Sequence, residues 1–433
     1  MSMKRSALSP NLSLKRRTTK PSARSRGGIV VTQNRIASEV GARVLKEGGH
    51  AVDAVVAAAF AVGVVEPWMS GIGGIGAMLV YEARTGKVKV VDFGGRSPKA
   101  LNPADFKLLE GKEKGNLFGW ANVEGNRNTV GARAVVAPTE PAGLALAHKM
   151  YGQKPWASLV APAAGLADEG VIVDWHTTVV IAGAFADLLK DPGARARFLP
   201  DGVPPVAPAA QALTPMPRLP APGLARTLRA IAADGAGVLY RGALARSIAD
   251  DVRALGGYLG TADLEAVEPK VVDPLTIAYA GRSIHVTPEL SGGPTLSVAW
   301  DALRKSRPGK PKGDGPDADA FIAYARALDV AWTDRFARMG DAGRRTAPTS
   351  TTHLAVVDRE GNVATLTQTL LSLFGARIVL PGSGILMNNG INWFDPVPGG
   401  PNSIAPDRRA LANYAPAIMV GDGEVIGIGG CGG

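Results

Sequence analysis

Cysteine, histidine, aromatic residues and long apolar runs are all scarce in this sequence. Cys431 is the only cysteine, so no intrachain disulfide can form. The five histidines (His50, His148, His176, His285 and His353) are scattered, with no close-spaced cysteine or carboxylate partners. No metal site is expected, and no cofactor. No stretch of about eighteen apolar residues is free of charge and turn residues, so a membrane span is not expected. The longest candidate, residues 51–65, carries Asp53, stops at Glu66-Pro67 and reads as a buried helix. No basic stripe is interleaved with aromatics, which argues against a specific nucleic-acid surface.

Acidic residues are missing from residues 1–26, which hold Lys4, Arg5, Lys15, Arg16, Arg17, Lys20, Arg24 and Arg26. Eight of the ten excess positive charges therefore lie in one Ser/Pro/Arg-rich arm, which is expected to be disordered. The arm has no apolar core of a secretory signal, so a cytoplasmic location is expected. An organelle transit peptide is the other reading of the same charge. The rest of the chain is near charge balance.

Glycine and proline, by contrast, are plentiful and divide the chain. Gly27 to Val31 reads as a strand, followed by a helix capped by Ser38 and closed by Gly48-Gly49. Val52 to Val65 reads as a second, buried helix. Gly71-Ile72-Gly73-Gly74-Ile75-Gly76 has the letters of a dinucleotide fingerprint in inverted context, because a helix precedes it and a strand follows. It is read as a place where backbone packs closely. Strands are expected at Ala77–Tyr81 and Lys87–Phe93, helices over much of 141–189 and 223–265, and two short strands in 274–286. Further helices are expected after Ser291-Gly292-Gly293-Pro294 and from about Asp319 to Met339. Strands at both ends with helices between predict an α+β layered domain.

The chemistry points to Thr351-Thr352-His353. A mid-chain threonine has no base beside its hydroxyl. As the first residue of a chain it does, because its own α-amine, of pKa about 7.7–8.0, can take the hydroxyl proton. The nucleophile reading therefore requires a backbone cut between Ser350 and Thr351. Residues 351–357 and 363–370 read as a hairpin around Asp358-Arg359-Glu360-Gly361-Asn362. With a three-residue loop, Asp358 pairs with Asn362 and Thr351 faces Thr369 across the ladder. A Thr-Thr pair is also ordinary strand filler, and a slip of one residue would put Thr369 on the other face.

From Gly27 onward these residues resemble the gamma-glutamyltransferase family of N-terminal-nucleophile hydrolases. The resemblance rests on residues 45–54, the Ser70–Gly76 glycine segment, Ser291-Gly292-Gly293, residues 351–358, Phe374-Gly375 and Ser383 to Asn389. It implies a four-layer αββα sandwich made as one precursor and cut by its own nucleophile. Here the large-subunit part would be residues 27–350 behind the arm, and the small-subunit part 351–433. It also implies a threonyl acyl-enzyme formed from a small-molecule γ-glutamyl amide such as glutathione, with water or an amino acid or peptide as acceptor. Thr351 matches the nucleophile and Thr369 its supporting threonine. Gly432 and Gly433 match the paired oxyanion amides. The family continues past the position of Gly433, so the sandwich is expected to be short on that side.

The departures bear on substrate. Gly94 stands where the family places a carboxylate-binding arginine, and Arg96 is the nearby substitute. Leu371 replaces an asparagine, Gly390 and Trp393 replace polar groups, and Ala412-Asn413 replace a serine pair, leaving Asn413 as a candidate substrate contact. Three readings stay open. The chain is a γ-glutamyl hydrolase or acyltransferase, an acylase of the same mechanism with a less polar or dicarboxylic acyl group, or a catalytically silent homologue that binds or scaffolds. His353 reads as structural, since the freed amine already supplies the base.

Overall fold

The hairpin that ends at Thr369 lies inside the larger of the protein's two main sheets. The computed structural model describes residues 22–109, 120–209, 214–306, 315–341 and 352–432. Ser350, Thr351, Gly433 and most of the basic arm lie outside the described residues.

The chain begins with β1 (Gly28–Val31), α1 (Arg35–Lys46) and α2 (Ala51–Val65), then β2 (Ile75–Glu82) and β3 (Lys87–Phe93). A helical stretch follows: α3 (Glu140–Tyr151), α4 (Trp156–Glu169), short β4 (Val171–Ile172), α5 (Trp175–Leu188) and α6 (Pro192–Phe198). Short β5 (Arg218–Leu219), α7 (Pro222–Asp234), α8 (Gly242–Ala254) and α9 (Thr261–Glu265) lead to β6 (Lys270–Val272), β7 (Leu275–Tyr279) and β8 (Arg282–Val286). Then come α10 (Gly293–Ser306), α11 (Ala318–Arg338), β9 (Thr352–Asp358), β10 (Val363–Thr369), β11 (Ala417–Gly421) and β12 (Glu424–Ile428).

Two antiparallel sheets stack face to face. The first has strand order β1-β9-β10-β2-β3-β6 and the second β12-β11-β8-β7. On the outer face of the first sheet, Leu354, Val356, Ala364 and Leu366 pack beneath α2. That helix is buried along its whole length, as its nearly all-apolar sequence requires. Between the sheets, Leu79, Val90 and Val363 meet Ile418. On the far side, Ile277, Val286 and Ala417 lie under Trp300 of α10, which pairs with α11. The order is helix, sheet, sheet, helix, so the α+β four-layer αββα sandwich is present with all four layers among the described residues. No described helix is long and apolar enough to cross a membrane.

One expectation at α1 is corrected. Its N-cap is Asn34, whose Oδ1 accepts the Ile36 amide at 2.9 Å, and not Ser38. Ser38 lies a turn inside the helix, with its hydroxyl 2.8 Å from that of Thr32. Asn34 and Ser38 both fit a cap chemically, but the chain leaves β1 early enough for the first to act. The α1 end is as expected, with Gly48 at φ +78°. For α2, His50 and Asp53 form a capping box that starts the helix at Ala51.

Candidate active site

The hairpin register is the one the loop count predicts. Asp358 N–H donates to the Asn362 carbonyl, and Thr352 pairs with Gln368. Thr369, the last residue of β10, pairs on its other side with Ile75, the first of β2. Gly76 pairs with Phe93, the last of β3. The start of β9, the end of β10, the start of β2 and the end of β3 thus share one end of the sheet.

Side-chain alternation assigns the faces. Ala364 and Leu366 point to α2, so Val363, Thr365, Thr367 and Thr369 stand on the side facing the second sheet. Thr369 is fully buried, and its Oγ1 accepts the Leu371 amide at 2.8 Å. That bond closes a turn in which Leu371 takes φ +86°, a conformation bulky residues rarely adopt.

The glycine segment has the close-packing role expected of it. A Cβ on Gly74 would stand 2.6 Å from the Thr369 carbonyl oxygen and 3.1 Å from Glu140 Oε2. Asn388 ties this segment to its surroundings, donating from Nδ2 to the Gly73 carbonyl at 2.7 Å and the Val136 carbonyl at 3.0 Å. Its Oδ1 accepts the amides of Val136 and Gly390. Glu140, the first residue of α3, is completely buried, and desolvation holds its carboxyl well above the usual carboxylate range.

The second sheet delivers its strand ends to the same place. Gly427 lies over Thr365, its missing Cβ 2.8 Å from the threonine methyl. Gly429 lies against the His353 ring, where any Cβ would overlap it. His353 is buried and shares a 3.0 Å hydrogen bond between Nδ1 and Thr367 Oγ1. Burial pushes its pKa down to about 4, so the ring is neutral. Gly429 therefore lies over the start of β9, and beyond it Gly430 and Gly432 have open space where a Cβ would stand, with Gly432 at φ +98°.

Around this end, Ile75, Leu371, Ile391, Trp393, Ala412 and Tyr414 form one apolar cluster. Leu371 and Trp393 are fully buried in it. Trp393 Nε1 donates to Asn413 Oδ1 at 3.3 Å. Arg96 is on the rim, about half exposed, donating to the Asp407 carbonyl at 2.6 Å. The guanidinium beside Gly94 belongs to Arg409, which is paired with Asp92 and, at 2.9 Å, with Glu289. No group of three or more His, Cys, Asp or Glu side chains among the described residues is placed to hold a metal ion.

Sequence reasoning missed Glu140, Asn388, Arg409 and Arg335. Arg335 is buried and bridges two rim segments. It donates from Nη1 to the Ser291 carbonyl at 2.7 Å and Thr295 Oγ1 at 2.9 Å, and from Nη2 to the Ala412 carbonyl at 2.8 Å. Burial lowers its pKa to about 9. A signal for it existed: Ala327, Ala331 and Arg335 recur every four residues on the buried face of α11.

Two stacked antiparallel sheets between helical layers, with the buried Thr369 at one end of the first sheet, have the architecture of the N-terminal-nucleophile class of hydrolases. The chain belongs to the gamma-glutamyltranspeptidase family, whose profile matches residues 37–349 and 340–433. The members of that family are amidohydrolases and acyltransferases. The chain is 33% identical to the Acylase ACY 1 proenzyme of Pseudomonas sp. strain SE83 over 94% of this chain and 76% of that protein. It is 30% identical to the Glutathione hydrolase proenzyme of Bacillus subtilis strain 168, over 94% and 75%. Among solved structures, cephalosporin acylase from Bacillus halodurans superposes with a TM-score of 0.78 at 25% identity, covering 94% of this chain and 78% of that one.

Proposed function

We propose that the precursor cuts itself before Thr351, and that Thr351 then attacks amide substrates as an N-terminal nucleophile. The parts released would be residues 1–350 and 351–433. One more step of the observed register would oppose position 351 to Thr369, on the face over which Gly427 and Gly429 lie. This juxtaposition carries the reading. Its amine would take the hydroxyl proton, the hydroxyl oxygen would bond to the substrate carbonyl carbon, and the leaving amine would depart with a proton. Water, or an amino acid or peptide, would then release the acyl group. Thr369 would orient the nucleophile. The amides of Gly432 and Gly433 would stabilise the oxyanion, and each such donor is worth roughly 3–4 kcal/mol. "Proenzyme" in the names of both relatives supports the processing step.

For the acyl group, the geometry favours the acylase reading. Leu371, Trp393 and Ala412 close an apolar cluster where an α-amino acid head would need polar partners. The acylase relative and the acylase structure agree with this. A γ-glutamyl donor is the second reading. It is favoured by the glutathione hydrolase relative and by Arg96 and Asn413, which remain the candidate polar contacts at the rim.

Intact mass and a donor panel test both steps. Wild-type protein is expected as two chains divided before Thr351, and Thr351→Ala as one inactive chain. Glutaryl-anilide is expected to be hydrolysed faster than γ-glutamyl-anilide. A single-chain active enzyme, or an active Thr351→Ala variant, would end the nucleophile proposal. The opposite donor preference would restore the γ-glutamyl reading.

A further inference from the structure

The polar row beneath β12 is unusual for the middle of a sandwich. Between stacked sheets, facing side chains are normally apolar and hold the sheets about 10 Å apart. Here Thr365, Thr367 and His353 stand in that layer, and above them lie Gly427 of β12 and Gly429 just past its end. Each glycine sits directly over one polar side chain: Gly427 over Thr365, Gly429 over His353. The strand can come this close only because it lacks Cβ atoms at both places. At the Gly429 contact the His353 ring fills the space, held from below by its bond to Thr367. Its Nε2 is buried and finds no partner among the described residues, so on that side the ring is held by shape alone. The three residues after Gly429 are Gly430, Cys431 and Gly432, which have few side-chain atoms to anchor them.

We propose that His353 is a positioning residue for the segment 429–432: its ring sets the height at which that segment leaves β12 over the start of β9. This rests on the reading of Thr351 as nucleophile and Gly432 as an oxyanion donor. The ring is assigned no part in bond making or breaking. It acts through Gly429, three residues before the donor. A neutral imidazole suits the task, because it adds no charge beside the developing oxyanion.

The expected kinetic signature is a loss in turnover with binding preserved. His353→Ala removes the support, so kcat for an anilide donor should fall about 10²-fold while KM stays within about twofold. Precursor cleavage, followed by intact mass, should slow in parallel. Gly429→Ala pushes the segment off the ring and should lose kcat by a similar factor. The double variant His353→Ala/Gly429→Ala puts a methyl group into the vacated space and should recover at least about tenfold over Gly429→Ala alone. His353→Phe keeps a flat ring without the Thr367 bond and should retain kcat within about fivefold, which covers the case of an alanine variant that does not fold.

A double variant no better than Gly429→Ala, or a His353→Ala enzyme with wild-type kcat, overturns the positioning role. If Thr351→Ala is inactive while the 353 and 429 variants behave like wild type, only the positioning role fails. If Thr351→Ala is active, the nucleophile reading fails and the positioning role falls with it.

Discussion

Replacing Thr369 by valine removes one oxygen at the centre of the proposed site and leaves the shape almost unchanged. Thr369 is fully buried, and its Oγ1 accepts the Leu371 amide at 2.8 Å. In the valine variant that amide is buried without its acceptor, a penalty of about 1–3 kcal/mol. The same bond holds Leu371 at φ +86°, a left-handed conformation that disfavours a leucine by about 1–2 kcal/mol. Without the bond, the turn relaxes toward an ordinary conformation and withdraws Leu371 from its cluster with Trp393 and Ile391. The net loss in stability is expected at about 2–3 kcal/mol. A shift on the order of 1 Å at the end of β10 should lower kcat about 10²-fold. Thr369→Ser keeps the oxygen and gives up one methyl group, for about 1 kcal/mol and a kcat within about threefold of wild type. Urea unfolding midpoints and initial rates on one anilide donor separate the cases. Equal impairment of the serine and valine variants, or a valine variant with wild-type midpoint and turnover, would refute the reasoning.

Arg335→Ala would strand the carbonyls of Ser291 and Ala412 and open a cavity between α11 and the rim, so a loss of about 3–5 kcal/mol is expected. Arg335→Lys, which can keep one of the two bridges, should lose less, and thermal midpoints of the two variants check the order. Glu140 offers a pH test. Its folded pKa is raised by burial, so above about pH 4.5 the unfolded chain gives up a proton that the folded one keeps. Stability should therefore be undiminished by this group at lower pH and fall as pH climbs toward the folded pKa. Glu140→Gln should flatten that decline and be the more stable protein at pH 8. Thermal scans at pH 5 and pH 8 measure it, and a wild type that outlasts the glutamine variant at pH 8 contradicts a carboxyl held above the usual range.

The local pattern along the chain was enough for the hairpin, because strand alternation and a three-residue turn leave one register in which apolar residues 354, 356, 364 and 366 share a face. Continued by one step, the same register would oppose position 351, outside the described residues, to Thr369. The near-continuous apolar run 51–65 similarly announced a helix buried on all sides. The Gly71–Gly76 segment was legible as close backbone packing because its context excluded a phosphate loop. The N-cap of α1 was not legible: Asn34 and Ser38 are equivalent as chemistry, and only the path of the chain out of β1 chooses between them.

Other features depended on which distant segments meet. Glu140 looks like an ordinary acidic residue at a helix start, and its raised pKa arises from burial behind Gly74, which no local pattern encodes. Gly94 and Arg409 are more than three hundred residues apart, yet the guanidinium beside Gly94 comes from 409 and already has acid partners. Leu371, Trp393 and Ala412 each read as single lost polar contacts. Their enclosure in one apolar cluster is a fact of packing, and it is what shifts the expected donor away from a zwitterion. Short-range backbone geometry is governed by neighbours a few residues away and so can be read along the chain. Charge state, pocket polarity and the height of one segment over another depend on solvent exclusion by residues far apart in sequence, and these only the assembled sandwich decides.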